Sequence, residues 1–84
     1  MYNLLLTKAA ERDLNRLPAP IVRRLIPEIR SLTENPKPHG SRKIIGSKNS
    51  WRIRIGDYRV IYEIDEINQS ILIQIVNHRK DAYR

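Results

Sequence analysis

Two segments of alternating apolar and polar residues, on either side of a Gly-Asp dipeptide, constrain the fold of this chain most strongly. Gly56-Asp57 fits a two-residue β-hairpin turn with glycine at its first central position. The predicted cross-strand pairs are Ile55 with Tyr58, Arg54 with Arg59, Ile53 with Val60 and Trp51 with Tyr62. Since side chains alternate between the faces of a strand, this register separates an apolar face from a basic one. The predicted core face carries Trp51, Ile53, Ile55, Tyr58, Val60, Tyr62 and Ile64, and the opposite face carries Arg52, Arg54 and Arg59.

The residues before this hairpin have helical periodicity. Thr7 can cap a first helix that Pro18 ends, and a second helix has Pro20 in its first turn and ends at Asn35-Pro36. Candidate strands span residues 2–6, 42–45, 50–55, 58–65 and 71–77. One strand, two helices and then a run of strands predict an α+β fold in which a helical hairpin packs on a small twisted antiparallel sheet. We expect residues 1–84 to form one domain.

Composition excludes several classes of protein. The chain has 84 residues and no cysteine, which leaves no room for an enclosed cofactor between two lobes and excludes disulfides and a cysteine nucleophile. With two histidines and no clustered carboxylates, we expect no metal and no cofactor. The apolar run at residues 4–6 is too short for a signal peptide, and no later segment is long enough to span a membrane. We therefore expect a soluble cytoplasmic protein.

Positive charge is concentrated in the predicted sheet. The net charge is +7, and residues 37–62 carry seven Lys or Arg residues against Asp57 alone. A polyanion is the expected partner, with nucleic acid the leading candidate.

Arg54 and Arg59 are predicted to face each other across the hairpin, where like charges repel. A bound anion would relieve that repulsion, and guanidinium groups on a stiff sheet can form paired hydrogen bonds to phosphate oxygens. The alternative is that Glu63 or Asp65, on the same face, partly neutralises these arginines.

The last strand is predicted to bring three further residues to the basic hairpin. If Ile71, Ile73 and Ile75 face the core, then Gln74, Val76 and His78 share the arginine-bearing face, and the chain end delivers His78, Arg79 and Tyr83 there. The alternative interpretations are a surface histidine and a terminal tyrosine that packs over an exposed core edge.

With these motifs the sequence resembles the RelE toxin family of bacterial and archaeal toxin–antitoxin systems. The resemblance covers nearly the whole chain and is most specific in residues 51–64 and 78–83. It implies a compact fold similar to small microbial ribonucleases and a ribosome-dependent endoribonuclease that cuts messenger RNA. It also implies a cognate antitoxin that holds the toxin inactive.

The resemblance also implies roles for individual residues. Arg52, Arg54, Arg59, Arg79 and Tyr83 match positions that bind the scissile phosphate and move protons during attack by the ribose 2′-hydroxyl, which leaves a 2′,3′-cyclic phosphate and a 5′-hydroxyl. Because the best-known members have lysines where this chain has its first two arginines, and a guanidinium stays protonated at neutral pH, the general base must lie elsewhere. Tyr83 and His78 are the candidates, while Arg79 would act on the leaving 5′-oxygen. Three further basic residues, Arg42, Lys43 and Lys48, are assigned to RNA binding.

Two alternative functions remain open at this point. A ParE-like inhibitor of DNA gyrase shares the architecture and cuts no RNA itself. A non-catalytic RNA-binding module is the other alternative, but alternation assigns Trp51, Tyr58 and Tyr62 to the core, so that chiefly Tyr83 is left to stack on a base.

Overall fold

A computed structural model describes residues 1–80 of the chain. Within that range the chain forms two helices and five strands. The elements are β1 (Asn3–Leu6), α1 (Lys8–Asn15), α2 (Ala19–Ser31), β2 (Arg42–Lys43), β3 (Ser50–Ile55), β4 (Tyr58–Asp65) and β5 (Ser70–His78). Neither helix is long and apolar enough to cross a membrane.

Local sequence explains where the helices begin. The Thr7 side chain accepts a hydrogen bond of 3.0 Å from the Ala10 N–H, which satisfies one of the free donors at the start of α1. Helix α2 begins beyond Pro18 and has a second proline in its first turn, where a missing N–H costs nothing. The predicted helical pair is therefore confirmed.

The sheet has the strand order β1-β5-β4-β3-β2. Strands β2 to β5 form the predicted antiparallel meander, and the four predicted pairs between β3 and β4 are confirmed, including Arg54 opposite Arg59. Strand β1 departs from the antiparallel prediction because it pairs with β5 in parallel, from Asn3 with Ser70 to Leu6 with Ile73. Both helices and three strands lie between β1 and β5 in the chain, a connection long enough for parallel pairing, so the sheet is mixed.

A β-bulge in β5 overturns part of the predicted face assignment. Tyr62 pairs with Ile73, but the preceding residue Ile61 pairs with Ile75, so Gln74 is one extra residue on β5. Beyond the bulge the alternation is inverted. Ile75 is therefore 38% exposed and Val76 is 2% exposed, the reverse of the prediction for both residues.

The core lies between the helices and one face of the sheet. Its most completely buried side chains include Leu25, Ile29, Val60, Tyr62 and Ile73. The Tyr62 hydroxyl donates a hydrogen bond of 2.7 Å to the carbonyl oxygen of Pro36, which satisfies its buried polar atom. Arg52, Arg54 and Arg59 lie on the other face of the sheet, which we call the arginine face.

Candidate phosphate-binding site

The β3–β4 turn places two arginines directly opposite each other. Gly56 has φ of +61°, a conformation that glycine adopts without strain, and it allows the two-residue turn that fixes the register. Arg54 and Arg59 consequently share the arginine face close to the turn. The predicted cross-strand pair of like charges is confirmed.

These two arginines line one pocket together with two residues from the end of the described chain. The pocket has a volume of about 500 Å³, and its lining consists of Arg54, Arg59, Arg79 and Lys80, which we call the arginine pocket. Four cationic side chains around one open concavity make this pocket the candidate site for a phosphate group.

The turn also holds Arg79 in place. The Arg79 N–H donates a hydrogen bond of 2.7 Å to the carbonyl oxygen of Asp57, so the backbone after β5 is tied to the hairpin. The side chains of the two residues form an ion pair with 3.7 Å between Nε of Arg79 and Oδ1 of Asp57. Both side chains are more than half exposed, so this ion pair contributes little to stability. The backbone bond is therefore the main feature that brings Arg79 to the pocket.

Other predicted basic residues lie outside the arginine pocket. Arg52 shares the arginine face, but it lies opposite Arg42 of β2 and lines a smaller pocket with Lys43. Lys48 is exposed in the connection between β2 and β3, at the end of β3 remote from Gly56. These four predicted residues therefore do not line the arginine pocket.

His78 does not join the arginines. Because of the bulge it lies opposite Tyr58, on the helix-facing side of the sheet, and its ring makes an edge-on contact with that of Tyr58 at 5.2 Å between centroids. The prediction that His78 shares the arginine face was therefore wrong. The other candidate for proton transfer, Tyr83, lies outside the described residues.

Two residues near the site were missed by sequence reasoning. Lys80 was not selected as a site residue, although its position beside Arg79 was the available signal. Asn77 replaces Val76 on the arginine face, where it lies directly opposite Arg59. Its buried Oδ1 has no hydrogen-bond partner within residues 1–80, so an unused acceptor adjoins the cationic pocket. Only the unforeseen bulge puts it there.

Comparisons with known proteins agree with the fold and with the resemblance of the sequence. Residues 4–83 match the family described as ParE toxin of type II toxin-antitoxin system, parDE. Toxin RelG of Mycobacterium tuberculosis is 32% identical over 87 residues, which cover 99% of this chain and 97% of RelG. The archaeal RelE-RelB complex from Pyrococcus horikoshii contains a chain with 29% identity and a TM-score of 0.82, and the match covers 96% of this chain and 98% of that one. The RelBE2 toxin-antitoxin complex of Mycobacterium tuberculosis contains one with 28% identity and a TM-score of 0.81, covering 93% of this chain and 98% of that one. The chain therefore belongs to the RelE family of toxins of type II toxin–antitoxin systems, within the wider RelE/ParE superfamily.

Proposed function

We propose that this toxin is an endoribonuclease that cleaves messenger RNA on the ribosome, in the cytoplasm, and so inhibits translation. The observation that carries the proposal is the arginine pocket, an open concavity lined by Arg54, Arg59, Arg79 and Lys80. A phosphodiester would enter it as the ligand that its charge favours, and the remaining basic residues on the same sheet would bind neighbouring phosphates.

The proposed reaction is attack of a ribose 2′-hydroxyl on the adjacent phosphorus. The new P–O bond forms as the bond to the 5′-oxygen breaks, which gives a 2′,3′-cyclic phosphate and a 5′-hydroxyl. The pentacoordinate transition state carries more negative charge than the starting diester. Guanidinium groups already in place therefore bind the transition state more tightly than the substrate, which lowers the barrier.

Proton transfer needs a group other than these arginines, because a guanidinium remains protonated at neutral pH. His78 is poorly placed for the task, since its ring packs against Tyr58 on the opposite side of the sheet. Tyr83 is our candidate for the general base, with Arg79 stabilising the leaving 5′-oxygen. Arg52 lies outside the arginine pocket, so in place of its expected role at the scissile phosphate we assign it to binding RNA beside the pocket.

We also propose a cognate antitoxin as the inhibitory partner. The Pyrococcus and Mycobacterium relatives were solved as toxin–antitoxin complexes. The strongly basic face of this chain would be masked by an acidic segment, and β1 and β2 are the two edge strands of the sheet, to which a partner strand could pair.

Substitution of Arg59 tests the enzymatic proposal. We expect Arg59→Ala to reduce cleavage of a translated message by about 10²- to 10³-fold, the loss typical of one donor that stabilises a transition state. Arg12→Ala removes the same charge from an exposed position on α1 and serves as the control. Circular dichroism and thermal unfolding should show that both variants keep the fold. An Arg59→Ala protein that cuts at the wild-type rate would contradict the proposal.

Inhibition of DNA gyrase is the second candidate, favoured by the ParE description of the matching family. Mapping the 5′ ends of cellular transcripts after brief induction separates the two functions. Codon-phased cuts would support the ribonuclease, whereas a DNA-damage response with intact messages would support gyrase as the target.

A further inference from the structure

A further pocket lies on the helix-facing side of the sheet, at the end of β5. Its volume is about 330 Å³. It is lined by Asp13, Arg16 and Leu17 from the end of α1 and its exit, and by Tyr58, Val76 and His78 from the sheet. We call it the helix-side pocket.

The lining of the helix-side pocket differs in chemistry from that of the arginine pocket. Tyr58 and His78 provide aromatic rings, Arg16 a guanidinium and Asp13 a carboxylate. The carboxylate disfavours a second phosphate, but it is a good acceptor for the N–H groups of a neutral ligand. Aromatic rings, guanidinium groups and carboxylates are the side chains that proteins use to stack on nucleobases and to bind their edges. A nucleobase fits this combination.

Several contacts hold these groups in place before any ligand binds. The rings of Tyr58 and His78 meet at an interplanar angle of 89°. Oδ2 of Asp13 accepts a hydrogen bond of 2.9 Å from the Val76 N–H, just beyond the bulge. Nδ1 of His78 accepts one of 3.2 Å from the Lys80 N–H. Such preorganisation reduces the entropic cost of binding a small ligand.

The two pockets lie on opposite faces of the sheet, and residues that are consecutive in the chain near the end of β5 line one or the other. Tyr58 lines the helix-side pocket and is followed directly by Arg59, while His78 is followed directly by Arg79. Asn77 lines the helix-side pocket and also lies opposite Arg59. We propose that the helix-side pocket binds the base of an RNA nucleotide that flanks the phosphate held in the arginine pocket, an inference that rests on the proposed ribonuclease function.

Binding of short RNAs tests this inference. The probes are a trinucleotide whose 2′-oxygens are methylated, so that it cannot be cleaved, and three analogues that each lack one base. With the wild-type chain, we expect one abasic analogue to bind about tenfold more weakly than the complete trinucleotide, the equivalent of one hydrogen bond to a charged group. The Arg16→Ala variant should bind the complete trinucleotide about tenfold more weakly than the wild type does. Removal of the sensitive base should then reduce its affinity little further. Arg12→Ala, on the same helix, should behave as the wild type does.

A second variant tests the role of the carboxylate. Asp13→Asn retains an oxygen that can accept the Val76 N–H, but it replaces the other acceptor by an NH₂ donor. We expect the order of preference among the four bases at the sensitive position to change, while the affinity for inorganic phosphate stays within twofold of the wild type.

Two results would overturn the inference. Either no abasic analogue binds more weakly than the complete trinucleotide, or Arg16→Ala weakens binding of the complete trinucleotide and of the analogue that lacks the sensitive base by the same factor. Both results are compatible with a toxin that still cleaves messages in an Arg59-dependent way. Conversely, a wild-type chain that shows the base effect but cuts no message would contradict the proposed function and leave the binding site standing.

Discussion

Relief of like-charge repulsion should make the protein more stable and less able to bind phosphate at the same time. Arg54 lies directly opposite Arg59 and shares a pocket with Arg79 and Lys80. Opposed like charges on neighbouring strands cost about 0.2–1 kcal/mol. Threonine favours the β-conformation and carries no charge. We therefore expect Arg54→Thr to raise the free energy of unfolding by about 0.5–1 kcal/mol at low salt, which is about 2–8 °C in Tm for a chain of this size.

Urea unfolding at two salt concentrations measures this effect. The Debye length falls from about 10 Å at 0.1 M salt to about 3 Å at 1 M, so the stability gained by Arg54→Thr should largely disappear at the higher concentration. Arg12→Ala lowers the net charge by the same amount from an exposed position on α1, and we expect it to change stability by only a few tenths of a kcal/mol.

Stabilisation by added inorganic phosphate measures how well each variant binds the anion. A ligand at a hundred times its Kd stabilises the folded state by about 2.7 kcal/mol. The wild type and Arg12→Ala should both gain stability on addition of phosphate, and Arg54→Thr should gain distinctly less. If Arg54→Thr is less stable than the wild type at low salt, or if its gain persists at 1 M salt, electrostatic strain in the pocket is not the correct explanation.

Three other substitutions test the elements that position the site. Gly56→Ala should lower the free energy of unfolding by about 1–3 kcal/mol, because alanine is strained at φ of +61° and its Cβ would lie 3.0 Å from Arg24 Nη2. Differential scanning calorimetry measures this loss, and an unchanged Tm would contradict it. Tyr62→Phe should cost about 1–2 kcal/mol at neutral pH, since the carbonyl of Pro36 loses its donor. Burial raises the pKa of Tyr62 from 10.0 to about 12. The wild type should therefore lose about 1.4 kcal/mol of stability for each pH unit between these values, because the unfolded chain ionises first. Urea unfolding should show this loss for the wild type and not for Tyr62→Phe. Thr7→Ala removes the cap of α1 and should cost about 1–2 kcal/mol by thermal unfolding, whereas Thr7→Ser should cost less than half as much.

Local signals were sufficient to predict the hairpin that carries the arginines. Strict alternation on both sides of Gly56-Asp57 fixes the faces, and the turn fixes the register, so Arg54 could be placed opposite Arg59 from the sequence alone. The N-cap at Thr7 is equally local, since the capping side chain and the N–H that it binds are three residues apart. Both features depend on neighbours along the chain.

The bulge in β5, and the face that each residue beyond it occupies, could not be predicted because the bulge is maintained by residues distant in the sequence. The hydroxyl of Thr7 donates a hydrogen bond of 2.8 Å to the Gln74 carbonyl oxygen, and the Asp13 carboxylate accepts a hydrogen bond from the Val76 N–H. These contacts satisfy backbone groups that a regular ladder would otherwise have paired. The β5 sequence itself does not indicate the extra residue, since Ile71, Ile73 and Ile75 continue an unbroken alternation. The mixed sheet was missed for a similar reason, because the direction in which β1 pairs depends on the path of the helical hairpin.

The same bulge keeps His78, a candidate for proton transfer in the proposed reaction, away from the arginines that would bind the phosphate. It buries Val76 in the core and turns His78 toward α1, so that the strand end contributes Asn77 to the arginine face and no imidazole. Arg79 and Lys80, just beyond β5, then complete a pocket whose described lining is entirely cationic. Such a lining can stabilise a phosphorane, but its three guanidinium groups stay protonated at neutral pH and cannot accept a proton. Since the site is assembled where β5 ends, the residue that accepts the 2′-hydroxyl proton is best sought after Lys80, and Tyr83 is the tyrosine that the chain provides there.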